Sequence, residues 1–302
     1  MKNIKMLLCL FLVILLLPLP SLGETVVTSF YPIWLIALNL AEGIEELQVR
    51  NLAAPDTGCL HDYQLQTGDM KVLADADLFL VNGAGMESYL DLVYDAFPDL
   101  PVCESSKGID LMKDADALQI GEAHEEESSE VNAHIWLSAL NAAHMAENMA
   151  SAMSDSFPAF QDRLQVNLQA FVRRMEALDA ELKAGLSGLP RKGIITFHEA
   201  FPYFAQAYGL EVLAVVNREP GETLSPGQLA QLADAVVDLG QPPLFVEPQY
   251  EDLSARTLAA ETGSKIYLLD PIVTGPEKDV PMDYYDQKMM ENMRTLQSAL
   301  GE

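Results

Sequence analysis

Short β-branched and aliphatic runs alternate along this chain with stretches whose apolar positions recur every three or four residues. The runs read as strands and the periodic stretches as helices. Glu24 to Phe30 is a strand by this reading, and Pro32 opens a helix over Ile33 to Leu40. Leu47 to Leu52 and Asp77 to Gly83 are further strands, with helices at Thr67 to Ala74 and Met86 to Phe97. Ser138 to Phe157 is a helix that Pro158 interrupts. After Pro190 the alternation restarts. Strands at 193–197, 211–216, 243–247 and 266–269 are separated by helices at 200–208, 228–239 and 254–262, and a last helix spans 284–300. Strand–helix alternation predicts βαβ units and parallel sheets.

Between the two alternating halves lies the most regular segment. Leu164, Leu168, Phe171, Met175, Leu178 and Leu182 are spaced 4, 3, 4, 3 and 4 residues apart. They form one apolar stripe on a helix from Pro158 to Leu186, about 40 Å long at about 1.5 Å per residue. A coiled-coil dimer is one reading. A rigid helix packed along two domains is preferred, because the stripe covers only about three heptads.

The chain has 302 residues, more than one core comfortably serves. The expected fold class is α/β: two parallel-sheet α/β lobes joined by one long backbone helix. The expected division is a signal peptide at 1–23, an N-terminal lobe at 24–157, the linking helix at 158–188 and a C-terminal lobe at 189–302. The signal reading rests on Lys2 and Lys5, the apolar run Met6 to Leu17, and the small residues ending at Gly23. That run is too short for a confident membrane span, and no later run is long enough to cross a bilayer. Cys9 lies inside the run and does not look like a lipid-modified cysteine. The mature chain is therefore expected to be free of membrane insertion and outside the cytoplasm.

Charge narrows the partners. Against 18 Lys+Arg stand 45 Asp+Glu, a net charge of −27. That sign argues against nucleic acid and anionic membrane surfaces, and favours cations or simply solubility. The mature chain keeps Cys59 and Cys103. One disulfide and two buried thiols are both open readings in an oxidising compartment. No CxxC spacing is present, so the cysteines do not read as a metal motif.

Of five histidines, three fall in places that make chemical sense together. His61 lies in a loop after a strand, His134 just before a helix, and His198 directly after the strand ending at Phe197. Asp270 likewise follows a strand. His198 and Asp270 thus sit at carboxyl ends of strands, where open sheets gather ligand groups. Three imidazoles and a carboxylate suit a first-row divalent ion. The spacings of 73, 64 and 72 residues match no short motif. Three separately hydrogen-bonded histidines, with Asp270 capping a turn before Pro271, are the competing reading.

Several segments carry a resemblance. They are Thr28 to Pro32, His61 to Leu65, Ala133 to Ser138 with Asn141-Ala142, Phe197 to Phe204, Phe245 to Gln249, and Leu268 to Pro271. In this order they resemble the metal-binding components of bacterial ABC importers for zinc and manganese, the cluster A-I or TroA-like family. The resemblance covers essentially the whole mature chain. It implies two lobes with a metal held between them and delivery to an ABC permease in the inner membrane. It places His61, His134, His198 and Asp270 on the four ligand positions. It further implies a periplasmic, non-enzymatic receptor whose cargo is Zn(II), with Mn(II) possible. Nitrogen-rich donors favour zinc over the oxygen-preferring manganese. The expected state is a monomer.

Other residues receive lesser readings. Glu122 to Glu130, with His124, is either a weak metal collector or a solvated charge run. His144 has no assigned role. Glu247 either orients a ligand or is a structural carboxylate. Leu60 stands where the resemblance leads one to expect a proline-containing turn, and a Cys59–Cys103 bridge would compensate. The alternatives are a Mn(II) or Fe(II) receptor of the same family, a metal-dependent hydrolase with Glu199 as base, and an adhesin.

Overall fold

The computed structural model describes residues 23–60, 63–113, 131–216, 225–250 and 253–301. The expected signal peptide, His61, His124 and the acidic stretch after Gly121 lie outside them, apart from Gly23.

Four strands, β1 (Glu24–Thr28), β2 (Leu47–Asn51), β3 (Leu78–Val81) and β4 (Val102–Glu104), form a parallel sheet in the order β2-β1-β3-β4. A second set, β5 (Gly193–Thr196), β6 (Glu211–Val215), β7 (Leu244–Val246) and β8 (Ile266–Leu268), repeats the pattern as β6-β5-β7-β8. Each order reverses direction beside its first strand, and such reversals open a crevice at the carboxyl edge. Strand β3 is buried at all four positions because helices cover both faces. Strand β4 was not expected from the sequence: Val-Cys-Glu is too short and too mixed to stand out.

The helices have local causes. Helix α1 (Tyr31–Leu40) starts at a proline that needs no amide partner there. Helix α2 (Thr67–Ala74) is capped reciprocally by Gln66 and Asp69. Helix α3 (Leu90–Ala96) is short, and the sequence pattern overextended it at the N-terminal end. Helix α4 (Ala139–Ser156) is capped by the Ser138 hydroxyl, which accepts from the Asn141 amide. Helix α5 (Gln161–Ser187) is the long one, 27 residues. Its stripe is buried at Leu164, Phe171, Met175, Leu178 and Leu182, and Leu168 is half-buried. Helices α6 (Pro202–Tyr208), α7 (Pro226–Asp238), α8 (Leu253–Thr262) and α9 (Tyr284–Leu300) complete the described elements.

Helix α5 is bound along its length to both ends of the chain. Asn167 Nδ2 donates to the carbonyls of Leu40 and Glu42 at 2.9 Å each. Arg174 reaches Asn39 Oδ1 at 2.7 Å and Asp286 on α9 at 3.0 Å. Gly185 has no side chain, which lets Met293 of α9 approach the backbone closely. One apolar core runs from β1 and α1 through α4 and α5 to α6 and α9, so the two sheets do not own separate cores. A smaller cluster under α7 and α8, including Ile195, Leu232, Leu244 and Leu258, covers the other face of the second sheet.

Candidate metal centre

Three donor atoms converge where the two halves meet. Cys59 Sγ lies 3.4 Å from His134 Nε2 and 3.5 Å from His198 Nε2. The two Nε2 atoms are 3.1 Å apart. Among the described residues, this is the group of His, Cys, Asp and Glu side chains whose donors gather closely enough for one ion. Both histidines are buried and Cys59 is half-buried.

Each side chain is held from behind. His198 sits just past β5, whose continuation is fixed by Phe197 N–H donating to the Phe245 carbonyl at 3.0 Å. His134 precedes a 3-10 turn over Ile135–Leu137. Trp136 Nε1 donates to the Pro271 carbonyl at 2.8 Å, and Tyr285 Oη donates to the Trp136 carbonyl at 2.6 Å. These bonds dock the His134 segment onto the second half of the chain. The two imidazoles meet edge to face, with centroids 4.9 Å apart.

Asn132 selects the tautomer of a neutral His134. Its Oδ1 accepts the backbone N–H of His134 at 3.0 Å, and its Nδ2 donates to the Glu199 carbonyl at 2.8 Å. A backbone donor and a backbone acceptor together orient the amide without ambiguity. The ring Nδ1 of His134, 3.3 Å from the same Oδ1, must therefore be the donor. In the neutral ring the lone pair is then on Nε2, facing Cys59 and His198. Tyr203 Oη braces this arrangement by donating to the Asn132 carbonyl at 2.9 Å.

Cys59 lies in the loop after β2. Leu60 beside it is fully buried, and the Tyr63 amide donates to the Leu60 carbonyl at 3.0 Å. Gly58 on its other side has φ +86°, and a Cβ there would lie 2.8 Å from Tyr250 Oη. Glycine is required at that point by both conformation and space. Leu60 thus anchors the turn by burial where a proline was expected. No disulfide joins Cys59 to Cys103. Cys103 is a thiol beside the Asn148 carbonyl, and burial pushes it up to about 11. Cys59, which has no metal-motif spacing in the sequence, nonetheless lies with two imidazoles. Paired-cysteine spacing carries no signal for it, because its neighbours are histidines distant in sequence.

Asp270 is not brought into the trio. It follows β8, and its backbone is clamped by Asn292, which accepts from the Asp270 amide at 2.8 Å and donates to its carbonyl at 2.7 Å. Its Oδ1 accepts from the Ile272 amide at 2.8 Å, and its Oδ2 is 3.4 Å from Lys288 Nζ. Ile272 has φ +62°, rare for a β-branched residue, so this turn is held under strain by its surroundings. Glu247, directly after β7, lies between the His198 and Asp270 positions in strand order. Burial, and secondly Asp270, push its carboxyl well above the usual range, and Gln249 donates to its Oε2 at 2.6 Å. His144 is not part of this group; it contacts the Lys107 carbonyl at 3.1 Å and Glu147 at 3.7 Å.

Chemically, two imidazoles and a sulfur are donors for a borderline or soft divalent cation. Comparison with known proteins is consistent with that chemistry. The model of the family described as zinc-uptake complex component A, periplasmic (ZnuA), matches residues 26–299. The zinc-binding lipoprotein AdcA of Streptococcus pneumoniae is 25% identical over 282 residues, covering 92% of this chain and 56% of the relative. This chain therefore spans about half the length of that relative. The iron-binding protein YfeA of Yersinia pestis is 28% identical over 242 residues, covering 80% of this chain and 74% of that one. A solved Zn(II)-bound mutant of AdcAII of Streptococcus pneumoniae superposes with a TM-score of 0.78 at 25% identity. The match covers 93% of this chain and 100% of that one.

Proposed function

The chain belongs to the family of periplasmic component A of zinc-uptake complexes, and from that premise we propose that it captures Zn(II) outside the cytoplasm and delivers it to an ABC permease. The ligands are His134 and His198, joined by His61 and Asp270. The observation that carries this reading is the pair of Nε2 atoms 3.1 Å apart, contributed from opposite sides of the long helix in sequence. Asn132 presents the lone pair of one of them toward the other. Two buried imidazole nitrogens converging on one spot favour a cation with affinity for imidazole.

Export by residues 1–23, a monomeric state and the division at 24–157, 158–188 and 189–302 belong to the same proposal. No helix among the described residues is long and apolar enough to cross a membrane. The relatives' names point to zinc and to iron. The nitrogen donors favour zinc, since iron(II) and manganese(II) stand lower in the affinity order.

The test is metal content of the untagged mature protein by mass spectrometry, with zinc and manganese offered together to apo protein. About one zinc per chain, lost in His198→Ala, supports the proposal. Bound manganese or iron in place of zinc changes the cargo. An empty protein under every condition sinks the reading.

A further inference from the structure

The geometry points to Cys59 as a direct thiolate ligand of the captured ion, so that the centre is built from one sulfur and two imidazole nitrogens. This rests on the metal-capture reading above and adds to its ligand set. In a tetrahedron with Zn–N of about 2.0–2.1 Å and Zn–S of about 2.3 Å, N···N edges are about 3.3–3.4 Å and S···N edges about 3.5–3.6 Å. The observed edges are 3.1 Å between the nitrogens and 3.4 and 3.5 Å from sulfur to nitrogen. All three edges lie within a few tenths of an ångström of one face of that tetrahedron.

Hydrogen bonding among the three does not account for the triangle. Each ring nitrogen has one in-plane site, either a lone pair or an N–H, and aims it in one direction. With Nδ1 donating to Asn132, the neutral His134 ring has one lone pair on Nε2, which serves one donor only. Yet it has two neighbours, Cys59 and His198, at almost the same range. A cation at the centre of the face engages all three donors at once. As the sulfur–metal bond forms, the Cys59 thiol gives its proton to water.

The loop is also built to hold the sulfur in place. Gly58 passes under Tyr250 in a left-handed conformation, and Leu60 is fully buried, so the residue between them has little freedom. The consequence is selectivity. Thiolate favours soft and borderline ions such as zinc and cadmium and disfavours manganese.

Cobalt(II) is the probe, titrated anaerobically into the full mature chain. Visible d–d bands report binding, and a near-ultraviolet sulfur-to-cobalt charge-transfer band reports the thiolate. We expect both in the unaltered protein and in Cys103→Ser, saturating at about one cobalt per chain. In Cys59→Ser the visible bands should persist while the charge-transfer band is lost, and the zinc-over-manganese preference should fall about tenfold or more. X-ray absorption of the zinc-loaded, unaltered protein needs no variant, and a zinc–sulfur shell at about 2.3 Å is expected there. Visible bands without charge transfer, or a zinc shell of nitrogen and oxygen only, overturn the thiolate and leave metal capture standing. Absence of all metal binding overturns both.

Discussion

Asn132 Oδ1 accepts the backbone N–H of His134 at 3.0 Å and stands 3.3 Å from its ring Nδ1. One amide thereby fixes both the position and the tautomer of a buried imidazole two residues away. Its Nδ2 also grips the carbonyl of Glu199, next to the second imidazole. Asn132→Ala should weaken zinc binding about 10–100-fold, the usual effect of losing such a supporting bond. Asn132→Asp keeps the acceptor and should bind more tightly than the alanine variant. Chelator competition at neutral pH measures both, and equal affinities for all three proteins would refute the role. Protons compete for the same Nε2 atoms. Affinity should therefore fall as pH is lowered, because metal and protons exclude one another there.

Lys288 holds Asp270 Oδ2 at 3.4 Å and also meets Glu291 at 3.0 Å. A metal that recruits Asp270 has to compete with this ammonium. Lys288→Gln should raise zinc affinity about threefold or more, because it removes a partly buried competing cation. Asp270→Asn should lower affinity about tenfold or more, as loss of one anionic ligand would. Calorimetric titration decides the matter: unchanged affinity in both variants would exclude Asp270 from the ligand set.

Glu87 offers a proton-linked stability effect away from the metal. Its side chain is buried, and its two oxygens accept the amides of Asn82 at 2.7 Å and Gly83 at 3.0 Å. Burial outweighs these bonds and pushes its carboxyl from 4.5 up to about 7. The unfolded chain releases this proton near the ordinary value, so between the two values folding takes up a proton. The stability Glu87 contributes is therefore full at low pH and declines as pH rises through that window. Relative to Glu87→Gln, the unaltered protein should lose about 2 kcal/mol between about pH 5 and pH 7.5. Urea unfolding at the two pH values tests this, and parallel pH dependences would contradict it.

Helix α5 constrains how the molecule responds to its cargo. Asn167 and Arg174 tie it to α1, and Arg174 and Gly185 tie it to α9. A single helix with such attachments resists the wide closure that flexible strand linkers permit. Metal addition should change the radius of gyration by less than about 1 Å. Small-angle scattering of apo and loaded protein checks this; a change of several ångströms would show a hinge.

Most of the architecture was legible along the chain, because burial on both faces of β3 or one face of α5 leaves a periodic signature. The final helix at 284–300 was read to its observed ends, and the α5 stripe was read residue by residue except for Leu168, which is only half-buried. Strand β4 escaped notice because three residues of mixed polarity carry no period. The resemblance pointed to His134 and His198, and burial and convergence are now visible for both.

What the chain pattern alone determined was the α/β alternation, the long central helix and two histidines at element ends. Those follow from local propensity and hydrophobic period, which act over a few residues. Only the tertiary structure decided that Cys59 stands with the imidazoles, that Asp270 faces Lys288, and that Asn132 selects the tautomer of His134. Except for the link from Asn132 to His134, these relationships join residues far apart in sequence. Even that link is settled by the carbonyl of Glu199, which only packing brings near.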